Sequence, residues 1–243
     1  TPTPTPTPTP PVSTPNSTAT LPVSPTPPTS TPKPTVTPTA PTASKLVFND
    51  KVNVEAVKAI VEKEKSAPAI HFTDVPASSW SASVVERAAK MGIVTGYSDG
   101  SYHPNQKVTR AEFATMVAKA FGLPNSSGPS FSDTQGHWAS ESIAALQAKG
   151  VITGYSDGSF HPNQEISRAE IVAMLARLTN YVPNASNLFL DVATNWASEQ
   201  INAFATAGIV TGKGNELFKP NDTASRAESV AMIIRLLDKL LAQ

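Results

Sequence analysis

What most constrains this chain is a pattern that returns three times at a fixed interval. Phe72-Thr73-Asp74-Val75, Phe131-Ser132-Asp133-Thr134 and Phe189-Leu190-Asp191-Val192 each open a unit. A tryptophan follows in each, Trp80, Trp138 and Trp196, spaced 58 positions apart. Next comes a turn-rich loop, Gly96-Tyr97-Ser98-Asp99-Gly100-Ser101-Tyr102-His103-Pro104 and then Gly154-Tyr155-Ser156-Asp157-Gly158-Ser159-Phe160-His161-Pro162. The third unit has the looser Gly212-Lys213-Gly214-Asn215-Glu216-Leu217-Phe218-Lys219-Pro220. The units close on Thr109-Arg110-Ala111-Glu112, Ser167-Arg168-Ala169-Glu170 and Ser225-Arg226-Ala227-Glu228, each arginine 30 residues after its tryptophan. Self-similarity at such a period marks units that cannot bury a core singly and must pool one.

Each unit reads as helix, loop, helix. Val84, Val85 and Ala88 make a helical stripe, and Gly92, Gly150 and Gly208 stand where a left-handed cap ends a helix. The hydroxyl residue and the glutamate three places on form a capping box that starts the second helix. Apolar residues follow at helical spacing, among them Phe113, Met116 and Val117, then Ile171, Met174 and Leu175, then Met232, Ile233 and Leu236. The three methionines read as a shared core layer. Two short helices per unit are too few to stand alone. The expected fold is therefore all-α: three helix-loop-helix repeats forming a pseudo-threefold trimer around a central helical bundle. Before them, Val54, Val57, Ile60 and Val61 share one face of a further helix, packed on the repeats.

The first 44 residues are a different material. They hold 15 of the chain's 23 prolines, and with 15 threonines and five serines these make up 35 of the 44. One charge, Lys33, and no aromatic residue accompany them. Such a stretch cannot bury enough apolar surface to offset chain entropy, so it is expected to be a disordered linker of polyproline character. The composition suits an O-glycosylated spacer, against the plainer reading of a featureless tail. The organisation is then 1–44 linker, 45–70 connecting helix, and repeats at 71–128, 129–186 and 187–243. A spacer joins two things, so a cargo domain is expected before Thr1, where any export signal would also lie.

Composition removes several functions. Lysine plus arginine and aspartate plus glutamate number 19 each, with no basic run, which argues against nucleic acid or anionic lipid as partner. Apolar runs are a few residues long, far short of a membrane span. With no cysteine there is neither a disulfide framework nor a thiolate metal site. His103 and His161 share a slot that is Lys219 in the third unit, so they read as surface turn residues and not as metal ligands. The Asp-Gly loops lack the further carboxylates a calcium loop needs. No nucleophile elbow or phosphate-cradling loop is present, and no cofactor is expected.

The chemistry that remains lies in the hydroxyl-Arg-Ala-Glu box. The first turn of a helix has unpaired N–H groups and a partial positive charge. An arginine there adds a planar cation that grips a carboxylate or phosphate with two parallel bonds. Arg110, Arg168 and Arg226 each mark a potential anion receptor. The competing reading pairs each arginine internally with the opening Asp74, Asp133 or Asp191, and the residues alone leave both open. Trp80, Trp138 and Trp196 either stack on a sugar or anchor the first helix; anchoring with partial exposure is the favoured reading. The glutamates read as caps. Repetition without a deep cleft suits binding better than catalysis.

Together the Phe-x-Asp opening, the tryptophan, the Gly-Tyr-x-Asp-Gly loop and the Thr/Ser-Arg-Ala-Glu box closely resemble surface-layer homology domains, over about residues 70–243. The resemblance implies a triplet that anchors an exported protein non-covalently to the bacterial cell wall and so acts outside the cell. Its implied ligand is a secondary cell-wall polysaccharide, commonly bearing pyruvylated N-acetylmannosamine. The ligand would lie in grooves between neighbouring repeats, with the box arginine on the pyruvate carboxylate. Carried over by motif, the ligand-binding residues are Arg110, Arg168, Arg226, Gly96, Ser98, Gly154, Ser156, Asp74, Asp133, Asp191, Trp80, Trp138 and Trp196. The third unit departs, with Lys213-Gly214-Asn215 in place of Tyr-Ser-Asp, which sets the groove on its loop apart. A protein-protein docking module of a surface enzyme complex is the alternative.

Overall fold

The three capping boxes form as the sequence predicts. Thr109, Ser167 and Ser225 accept a hydrogen bond from the backbone N–H of Glu112, Glu170 and Glu228, whose side chains bond back. They start α3 (Arg110–Ala120), α5 (Arg168–Ala176) and α7 (Arg226–Leu241). The first helices of the units are α2 (Ala82–Lys90), α4 (Ser140–Ala148) and α6 (Ser198–Thr206). Just beyond them Gly92, Gly150 and Gly208 take φ of 74°, 63° and 76°, the left-handed geometry that ends a helix. This computed structural model describes residues 46–128, 130–183 and 186–242; the Pro/Thr/Ser-rich linker lies outside the described residues.

The loop between the two helices of each unit is held by its Phe-x-Asp opening. Asp74 accepts the backbone N–H of Tyr102 and of His103, each at 2.7 Å. Asp133 does the same for Phe160 and His161, and Asp191 for Phe218 and Lys219. The second donor of each pair, His103, His161 and Lys219, sits at φ of 56°, 55° and 58°, a strained conformation that the carboxylate stabilises. The phenylalanine matters equally. A Cβ on Gly96 would collide with the Phe72 ring and stand 2.8 Å from the Ser101 carbonyl oxygen, so only glycine fits where that ring lies flat on the chain.

Within a unit the two helices are not each other's main partners. Instead α2 packs chiefly on α7, α4 on α3 and α6 on α5, so each first helix leans on the second helix of the preceding repeat in cyclic order. The backbone closes the same cycle. Val108 N–H bonds the Ala224 carbonyl at 3.1 Å, Ala224 N–H the Ile166 carbonyl at 3.0 Å, and Ile166 N–H the Val108 carbonyl at 3.0 Å. This ring of three bonds marks the pseudo-threefold axis. Around it α3, α5 and α7 are buried along most of their length, with Phe113, Ile171, Leu175 and Ile233 fully excluded from water.

The helix before the repeats, α1 (Val54–Ser66), starts at the cap Asn53 and buries Val57. A two-residue strand ahead of it, β1 (Val47–Phe48), pairs antiparallel with β2 (Thr179–Asn180), which follows α5. Arg87 of α2 ties three helices together: its Nε donates to Glu64 of α1 at 2.8 Å and its two terminal nitrogens to Asp238 of α7 at 2.7 Å each. The helix is thus part of the trimer's wall.

Two predictions follow from these contacts. Gly96→Ala should lower the thermal midpoint more than Gly92→Ala, which meets open space and bears only the strain of positive φ, about 1 kcal/mol; equal losses would show that the Phe72 contact does not constrain the loop. In Asp74, burial pushes the carboxyl pKa up, but the Tyr102 and His103 amides outweigh it and hold it below the ordinary carboxylate range. Because the folded value is depressed, the stabilisation is present at neutral pH and is lost as pH falls below the ordinary carboxylate value and through the folded one. Asp74→Asn should cost about 1–2 kcal/mol at neutral pH and flatten the acid limb of urea midpoints; an unchanged limb would contradict the role given to Asp74.

Candidate functional site

The box arginines reach across the repeat boundary. Two residues after the axial ring, the backbone N–H of Arg110 donates to the Gln164 carbonyl at 2.8 Å and that of Ala111 to the Pro162 carbonyl at 2.9 Å. Arg168 and Ala169 are met likewise by Asp222 and Pro220, and Arg226 and Ala227 by Gln106 and Pro104. The helix N-terminal N–H groups that the sequence offered to an anion are therefore consumed by the next repeat's loop. What remains for a ligand is the guanidinium.

Each box arginine is almost wholly buried, at 5% residue exposure for Arg110, 2% for Arg168 and 7% for Arg226. Its Nε donates to a loop carbonyl: Arg110 to Phe160 at 2.8 Å, Arg168 to Phe218 at 2.9 Å, Arg226 to Tyr102 at 3.0 Å. It lies over the aromatic ring of that same residue, 4.6, 4.3 and 4.7 Å from the centroid. Internal pairing also occurs, but with a different acid from the one expected. Arg110 meets Glu170 at 2.6 Å, Arg168 meets Glu228 at 3.5 Å and Arg226 meets Glu112 at 3.7 Å, again in cyclic order. The opening aspartates are not available, because their oxygens hold the loop amides. For Glu170, burial pushes the carboxyl up, while bonds from Ser167, Arg110 and Tyr155 more than offset it and keep it ionised.

Three cavities result, and each draws on all three repeats. On the first loop, Thr95, Gly96 and Tyr97 join Glu112 and Met116 of α3, with Arg226 from one neighbour and Trp138 from the other, around a volume of about 250 Å³. On the second loop, Thr153, Gly154 and Tyr155 join Glu170 and Met174, with Arg110 and Trp196, around about 160 Å³. On the third, Thr211, Gly212 and Lys213 join Glu228 and Met232, with Arg168 and Trp80, around about 280 Å³. These volumes lie below the roughly 300–1,000 Å³ of small-molecule pockets, so each suits one small group and not a whole chain segment.

The tryptophans are 62%, 65% and 63% exposed for Trp80, Trp138 and Trp196, so the favoured reading of them as helix anchors is corrected: the rings stand in solvent at the cavity edge. Arg110, Arg168, Arg226, Gly96 and Gly154 also line the cavities. Asp74, Asp133 and Asp191 do not; they act on the loop backbone. Ser98 and Ser156 lie on the exposed turn outside the linings. The methionines are buried as a core layer would be, yet form the cavity floors.

Sequence reasoning missed one residue type. Nine places after each box arginine stands a basic residue, Lys119, Arg177 or Arg235, and all three line a cavity. The signal lay in the repeat alignment, at a position masked by the apolar stripe of the helix around it. With these included, two grooves carry two cations against one carboxylate, and the third carries three against one. A desolvated guanidinium with a net positive lining and an exposed indole is suited to a ligand that presents an anionic group beside an apolar ring face.

Comparisons with known proteins find one family three times along the chain. A family model described as the S-layer homology domain matches residues 71–114, 130–172 and 188–228. An S-layer protein of Bacillus thuringiensis subsp. finitimus is 34% identical over 171 residues, covering 68% of this chain and 21% of that protein. S-layer protein EA1 of Bacillus anthracis is 34% identical over 174 residues, covering 69% and 20%. A protein named amylopullulanase, from Thermoanaerobacterium thermosulfurigenes, is 35% identical over 179 residues, covering 69% and 10%. The chain thus spans about a fifth of the length of the S-layer relatives, and the same repeats also occur in a chain named for an enzyme. Such company places it at the extracellular cell surface. With three matched copies in the positions the motifs mark, the chain belongs to the S-layer homology domain family.

Proposed function

We propose that the three repeats are a non-catalytic anchor that holds an exported protein to the bacterial cell wall by binding an anionic, pyruvylated secondary cell-wall polysaccharide. The observation that carries this reading is the repeated cavity in which a buried arginine from one repeat faces an exposed tryptophan from another. The arginine, already desolvated, answers a carboxylate without a further dehydration cost of its own. The tryptophan offers a face to the sugar ring bearing it. Several modest sites on one polymer act together through effective concentration, so retention on the wall does not require a single tight pocket.

Trp138→Ala and Trp196→Ala remove rings that stand mostly in water, so the thermal midpoint should hold while binding to purified wall sacculi weakens, each by about 0.5–1.5 kcal/mol. Unchanged sedimentation with sacculi in the double variant would remove the indoles from the site. Arg110→Lys with Arg226→Lys keeps charge but loses the two-pronged grip. This variant should bind pyruvylated polymer at least several-fold more weakly, and removing pyruvate should weaken the wild type far more than the variant, because both changes delete one contact. Independent, additive losses would contradict a carboxylate on these arginines. Pull-down by deproteinised walls separates the anchor from a protein-docking module, which would bind only walls that retain protein.

A further inference from the structure

The groove on the third loop differs in charge from the other two, and Lys213 is the cause. Where Tyr97 and Tyr155 stand over their arginines, 5.5 and 4.8 Å from guanidinium to ring centroid, the third loop has Lys213. Lys213 Nζ lies 2.7 Å from Glu228, closer than Arg168 at 3.5 Å. The glutamate is thereby drawn to the lysine, whereas Glu170 in the second groove is held at 2.6 Å by Arg110 and at 2.9 Å by the Tyr155 hydroxyl. One carboxylate then shares the lining with Arg168, Lys213 and Arg235, while in each sister groove one carboxylate shares it with two cations. Two further acids act on Arg168 from outside the lining: Asp222, which replaces Gln106 and Gln164 and faces Lys219 at 4.0 Å, and Asp191, which is held by the amides of Phe218 and Lys219.

We propose that Lys213 makes the third groove a site for a dianionic group such as a phosphomonoester, while the first and second grooves are built for a single carboxylate. This rests on the reading of the grooves as anion sites and assigns their ligands separately. A second negative charge placed among three cations gains an additional attraction that the sister grooves lack; partly buried, it is worth about tenfold in affinity. The cavity, about 280 Å³ against 250 and 160 Å³ on the first and second loops, has room for a tetrahedral group, and the added cation sets the preference.

The test titrates the intact chain with inorganic phosphate at mildly alkaline pH, and separately with acetate, following the amide signals of Gly96, Gly154 and Gly212 by nuclear magnetic resonance. Phosphate should shift Gly212 at roughly tenfold lower concentration than the other two, and acetate should show no such preference. Lys213→Tyr installs the residue the sister loops already carry, so it should fold, and it should bring Gly212 into line with them. Tyr155→Lys should transfer the preference to Gly154. Equal phosphate response in all three grooves, or a preference that survives Lys213→Tyr, would overturn the inference while leaving the anchor reading intact. No response to either anion in any groove would overturn both.

Discussion

Three backbone hydrogen bonds, running from Val108 to Ala224, from Ala224 to Ile166 and from Ile166 to Val108, hold the position of everything else in this structure. Each is made two residues before a box arginine, so closing the ring fixes the start of α3, α5 and α7 against the loop of the next repeat. The arginine then has one place to go: over the neighbour's loop aromatic, with Nε on that residue's carbonyl. Because the ring uses main-chain groups, it tolerates Val, Ile and Ala at its three positions. Side-chain identity is demanded only where the ring delivers its product, at Arg, Glu and the loop glycine.

The same cycle explains how a chain with no net charge can present sites for anions. Each box helix sends its arginine into one groove and its glutamate into another, so every groove holds a buried arginine facing a partly exposed carboxylate. Leaving a guanidinium unpaired in that position would be costly, and the glutamate meets the need while the groove is empty. The second basic residue on each helix, Lys119, Arg177 or Arg235, tips the local balance positive. Recognition therefore depends on placement within about a Debye length and not on the charge of the whole molecule.

Local features of the fold were legible because they depend on residues a few places apart. The capping boxes, the glycine stops after α2, α4 and α6, and the helix from Val54 all lie within one or two turns of the residues that signal them. The cyclic exchange of partners was not legible, since nothing in the spacing of a repeat says whether α2 meets α3 or α7. That gap produced the main corrections. The helix N-terminal amides were assigned to an anion because their acceptors, the carbonyls of Pro104, Pro162 and Pro220 and of the residues two beyond, sit one repeat away. The opening aspartates entered the ligand set by motif alone, while their work is done on a loop backbone 27 to 29 residues downstream. The strand pair of Val47–Phe48 with Thr179–Asn180 gave no sequence signal, being too short for an alternation to show.

Every groove is a joint product of three repeats, with loop, arginine and tryptophan each from a different one. A crystal structure of the chain with a pyruvylated fragment of a cell-wall polysaccharide tests it most directly. The carboxylate should lie within hydrogen-bond reach of Arg110 or Arg226, and the sugar against Trp196 or Trp138 respectively. A fragment held by residues of one repeat alone, with those arginines still paired only to their glutamates, would contradict that joint origin.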